Sequence, residues 1–107
     1  MNWFKKKEIM TFDNISDEKR RFIDSLFNDF SSFGVTKEFI FNILTCDRFT
    51  NIMCNPHMIL INRAKRAYCY FSGLRKHFNN HNDMKIFAVS VAKQNNLFKD
   101  IIYIINS

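Results

Sequence analysis

The chain has 107 residues, 47% hydrophobic and 24% charged, with a net charge of +6 and a pI near 9.4. That length supplies one core and excludes two separately stabilised domains. Only two Gly and one Pro exclude a turn-rich sandwich or barrel and favour long helices, and the positive balance points to nucleic acid, an anionic membrane or an acidic protein as partner.

Residues 1–15 mix Trp3, Phe4, Ile9, Met10 and Phe12 with charges and show no period, which predicts an irregular N-terminal arm on a single domain spanning 1–107. Trp3 and Phe4 beside Lys5, Lys6 and Lys7 offer a weak membrane contact, and covering the core is the commoner role of such an arm. No apolar run of signal-peptide length follows Lys7. The run from Ile101 to Ile105 is far below the roughly 20 residues of a membrane span. Three cysteines cannot form a complete set of disulfides within one chain. A protein of the reducing cytoplasm with no membrane partner is the expectation.

Ser16 is a good N-cap, Asp17 and Glu18 suit the first turn, and Phe22, Ile23, Leu26, Phe27 and Phe30 recur at helical spacing until Gly34 offers a stop. Thr36 caps a second helix through about Leu44, with Val35 and Ile40 placed as a hydrophobic staple. A short turn or helical piece follows at Arg48 to Met53. Asn55-Pro56 predicts the start of a long helix to about Phe78, because Pro is suited to the first helical position. Leu60, Ala64, Ala67, Phe71, Leu74 and Phe78 form its apolar stripe, and Gly73 is a place to kink or divide it. Asn79 to Asn82 read as a loop, with Asp83 as the next cap. Beyond Met84 two more helices are favoured, with a C-terminal hairpin as the alternative because Ile86, Phe87, Val89 and Val91 also suit a strand. The expected fold is all-α, a bundle of four to five helices; the hairpin would make it α+β.

Charge is distributed unevenly. Between Asp47 and Asp83 there is no carboxylate, while Arg48, Arg63, Lys65, Arg66, Arg75 and Lys76 fall there with His57, His77 and His81. An A/T-rich codon bias raises the Lys count of a chain, yet it does not strip acids from one segment and leave Asp13, Asp17, Glu18, Asp24 and Asp29 in another. On a helical wheel Arg63, Arg66, Tyr70 and His77 share an arc of roughly 60° opposite the apolar stripe, with Lys65 and Lys76 in an adjoining sector. Two guanidiniums one turn apart suit phosphate oxygens, and Tyr70 suits a backbone hydrogen bond or a stacked base. The candidate nucleic-acid-binding set is therefore Arg63, Lys65, Arg66, Tyr70, Lys76 and His77. The alternative for the same residues is an ordinary solvated helix face. Because the binding set lies opposite the Leu60/Phe71 stripe, replacing Arg63 and Arg66 together is expected to weaken nucleic-acid binding while leaving stability almost unchanged.

Other constellations are weaker. Cys46, Cys54, His57 and Cys69 have the donor chemistry of a zinc site but lack paired knuckle spacing, so buried thiols without metal are expected. A helix-turn-helix would need a turn often containing Gly, which Thr45-Cys46-Asp47 does not have. There is no Gly-rich phosphate loop and no serine triad context. Arg75 and His81 stand in the Arg-x(4 to 6)-His form that resembles the active-site motif of the HEPN ribonucleases, small helical bundles in which the Arg and His act on an RNA phosphodiester at a dimer cleft. Lys76 departs from the residue usual after that Arg. The leading expectation is a small non-enzymatic regulatory or accessory protein, without cofactor, that binds DNA or RNA through phosphates. A protein-interaction module of inhibitor, immunity or adaptor type docking an acidic partner comes second, and a HEPN-like ribonuclease third.

Overall fold

The structure, a computed structural model, describes residues 10–107. The cluster from Trp3 to Lys7 lies outside the described residues. Among those described there are six α-helices and no strand: α1 (Asp17–Phe30), α2 (Lys37–Leu44), α3 (Asp47–Cys54), α4 (Leu60–Ser72), α5 (His81–Lys93) and α6 (Asn95–Ile105). The all-α expectation holds, and the helix count is six rather than four to five. No described helix is long and apolar enough to cross a membrane.

Local chemistry sets most boundaries. Ser16 Oγ accepts the Lys19 amide at 3.3 Å, and Thr36 Oγ1 accepts that of Phe39 at 3.0 Å, so both expected caps form. The main body of α1 ends at Phe30, and a 3-10 turn over Ser31–Phe33 leads to Gly34, whose φ of 95° is the left-handed stop that glycine favours. Five of the eight residues of α2 are buried, Phe39, Ile40, Phe41, Ile43 and Leu44, because neighbours cover it on several sides. The expected short piece after it is a two-turn helix, α3, burying Phe49, Ile52 and Met53 at i, i+3 and i+4.

Two expectations about the basic helix change. Asn55-Pro56 does not start it: Asn55 Oδ1 accepts the His57 amide at 2.9 Å, closing an Asx turn, and α4 begins only at Leu60. It also ends at Ser72, with Gly73 as its C-cap, and Arg75–His77 form a separate 3-10 turn. The hairpin alternative is not adopted. Asn80 Oδ1 accepts the Asp83 amide at 2.8 Å and so caps α5, placing Asp83 in the first turn rather than at the cap. Met84, Phe87, Ala88, Val91 and Ala92 are then buried at helical spacing.

α4 packs most extensively along α5, and α3 packs on α6 and α4. Tyr68 meets His81 at one end of the α4–α5 pair, and Leu60 shares a pocket with Ala92 and Lys93 at the other, so the two helices run antiparallel. One buried cluster links all six helices, with Phe71 near its centre: its ring lies 5.0 to 6.4 Å from those of Phe39, Phe49, Tyr70, Phe78 and Phe87.

Candidate nucleic-acid interface

The basic residues of the acid-free block do not share one face. Arg63 is the clearest departure. It is only 5% exposed, and its guanidinium donates to the carbonyls of Ile52, Met53 (3.0 Å), Asn55 (2.9 Å) and Met58 (2.9 Å). The last carbonyls of a helix have no partner within it, and this side chain supplies one for the end of α3 and for the turn that follows. The inner stripe of α4 is accordingly Arg63, Ala67 and Phe71, while Leu60, assigned to that stripe by its position, is 53% exposed.

Tyr70 is half-buried rather than presented to solvent. Its ring lies 5.8 Å from that of Phe49 and 5.2 Å from that of Phe71. Burial, with a hydrogen bond to the Cys46 thiol, holds the phenol well above its ordinary pKa. Burial also pushes the Cys46 thiol up, but hydrogen bonds from Tyr70 and from the amides of Phe49 and Arg48 outweigh it, leaving the thiol below its usual value. On the outer side of the Tyr70 ring the Arg48 guanidinium sits 5.5 Å from the centroid. Tyr70 therefore supports an arginine from the neighbouring helix. His77, expected on the same arc, belongs to the 3-10 turn after α4 and lies against Phe39 at 4.7 Å. Lys76 is exposed on that turn, as is Arg75, which stands on no apolar helix face. His81 opens α5 with its ring against Tyr68, Nε2 lying 3.3 Å from the hydroxyl.

What the fold does bring together is a cleft of about 510 Å³ between α3 and α4. Its α3 wall carries Arg48, Asn51, Ile52 and Asn55, at i, i+3, i+4 and i+7, and its α4 wall carries Arg66 and Cys69. A second hollow of about 420 Å³ shares Arg66 and Cys69 and extends to His57, Asn62 and Lys65. Among the described residues no carboxylate lines either hollow. The one ion pair within 4 Å among the described residues is Lys37–Asp24, at 2.9 Å, so none of Arg48, Lys65 and Arg66 is in a salt bridge with a described carboxylate. An arginine fork in an acid-free concavity matches phosphate oxygens.

Of the predicted set, Arg66 and Lys65 meet at this surface, Arg63 and Tyr70 support it from within, and Lys76 and His77 lie elsewhere. Arg48 and Asn51 were not in the predicted set although they line the candidate site; the signal available was the basic, polar i, i+3 pair on a short helix inside the acid-free block. Among the described residues no three of His, Cys, Asp or Glu gather as metal ligands. Cys46 and Cys54 are half-buried, while Cys69 is exposed, contrary to the expectation of buried thiols. Compared with protein-family models, with curated proteins and with solved structures, the chain matches none of them.

Proposed function

We propose that this chain is a small basic accessory or regulatory protein that binds DNA or RNA chiefly through phosphates, held by Arg48 and Arg66 across the α3–α4 cleft with Lys65 beside them. One observation carries this reading: two arginines from different helices line a single concavity that, among the described residues, contains no carboxylate, and neither is in an ion pair with a described residue. Field lines focus in such a cleft and raise the local concentration of polyanion.

The test is a titration of random-sequence nucleic acid at two salt concentrations. Wild type should bind with a steep salt dependence, and Arg48→Ala with Arg66→Ala should flatten the slope by about two units, one per lost phosphate contact. Charge reversal at exposed Asp29 reports any bulk-charge effect; Asp24 is a poor control because Lys37 holds it. Failure of wild type to bind at low salt, or an unchanged slope in the double variant, would overturn the reading.

A protein-interaction role is favoured by a separate feature. Ile59, Leu60 and Ile61, at 61%, 53% and 59% exposure, are three consecutive aliphatics open to solvent at the start of α4, close in sequence to Lys65 and Arg66. Exposed apolar area on a basic helix suits an acidic polypeptide with apolar side chains of its own. Leu60→Ser would weaken capture of such a partner while leaving the salt slope on nucleic acid unchanged.

A further inference from the structure

We propose that the α3–α4 cleft receives one unpaired nucleotide, so that the preferred ligand is single-stranded nucleic acid. This rests on the phosphate-binding reading above and goes further by assigning the base as well as the phosphate. A volume of about 510 Å³ lies within the roughly 300 to 1,000 Å³ of small-molecule sites. A stacked, paired base cannot enter a concavity of that size, whereas an unpaired one can be splayed out into it.

The lining has the chemistry of a whole nucleotide. Arg48 and Arg66 supply phosphate donors. Ile52 is buried in the wall and Met58 is half-buried, so together they offer an apolar surface for a base face, with the adaptable thioether of Met suited to any of the bases. Asn51 is exposed at the cleft, and its amide both donates and accepts, as a base edge requires. Asn55 has committed its Oδ1 to the His57 amide, which leaves its Nδ2 as a donor. The neighbouring hollow, with Lys65 and His57 beyond the shared Arg66, continues the positive track for the next phosphate. Arg63 builds this site without touching the ligand: the carbonyls it holds belong to Ile52, Asn55 and Met58, which line the cleft, and to Met53.

The experiment compares a random-sequence 12-nucleotide single strand with the same strand annealed to its complement, at equal salt, by fluorescence anisotropy. The single strand should bind several-fold more tightly, although the duplex carries twice the charge. Asn51→Ala and Met58→Ala should each weaken single-strand binding several-fold and duplex binding less, with the salt slope kept, and the single strand should shield Cys69 from iodoacetamide in peptide mass mapping more than the duplex does. Equal affinity for the two forms, equal loss on both in these variants, or equal shielding of Cys69 would overturn the single-strand assignment. The phosphate reading would survive those results if Arg48→Ala with Arg66→Ala still flattened the slope, and both would fall if neither form bound at low salt.

Discussion

Arg63 of α4 and Asn55 of the turn after α3 are joined by a 2.9 Å hydrogen bond from guanidinium to backbone carbonyl, one of four such bonds from the same side chain. A basic residue that local spacing places on an outward face has become the cap of another helix. Arg63→Ala would leave the carbonyls of Ile52, Met53 and Met58 without this donor in a largely buried setting, while Asn55 O keeps the Met58 amide at 3.4 Å. Since one orphaned buried group costs about 1 to 3 kcal/mol, the variant should lose on the order of 3 kcal/mol or more in urea denaturation. Arg63→Lys should recover only part, because an ammonium lacks the fork that spans separate carbonyls. A midpoint unchanged in Arg63→Ala would contradict this capping role.

Gly34 should be intolerant of even a methyl group. Its φ is 95°, and a Cβ there would meet Asn79, with side-chain Oδ1 at 2.6 Å and the backbone amide at 2.7 Å. That contact is part of a clasp in which the Asn79 amide donates to Phe33 O at 3.0 Å and Asn79 Nδ2 to Ser32 O at 2.8 Å. Gly34→Ala combines backbone strain of about 1 to 3 kcal/mol with displacement of this clasp. A thermal melt should show a clear loss of stability, and a melt like wild type would mean that the loop relaxes freely.

Phe71 is 0% exposed and in aromatic contact with α2, α3 and α5 as well as with Phe78. Phe71→Ala should cost about 3 to 5 kcal/mol. Circular dichroism should remain helical at low denaturant, with the denaturation midpoint shifted down. A neutral midpoint would require a core able to collapse around the missing ring.

Cys46 should be the fastest of the three thiols to alkylate relative to its exposure, since its pKa is lowered by hydrogen bonds that stabilise the thiolate. Tyr70→Phe removes the phenol donor, so the thiol should move up and alkylation near neutral pH should slow. The linkage has a definite sign. A thiol depressed in the folded state contributes stability above its unfolded value, near 9.0, and that contribution is lost as pH falls through the folded value. Tyr70, raised in the folded state, contributes stability present below 10.0 and lost as pH climbs above it. Stability in Tyr70→Phe should therefore be less sensitive to alkaline pH than in wild type, which pH-dependent urea midpoints would show.

The sequence by itself determined the helical class and the capped starts of α1 and α2, because caps and periodicity are local. Ser16, Thr36 and the i, i+4 spacing of Ala67 and Phe71 act within one or two turns of backbone. Lys65 and Arg66 were legible as exposed cations for the same reason. Tertiary structure decided the rest. Whether Arg63 faces water or a neighbouring backbone depends on where the end of α3 lies, and whether Arg48 and Arg66 meet depends on how α3 packs on α4. The Asx turn at Asn55 competes with the helix start that Pro56 advertises, and the break at Gly73 carries His77 away from the α3–α4 cleft to Phe39. A helical wheel knows only the residue's own axis, whereas burial and site formation depend on which surface a second axis brings up against it.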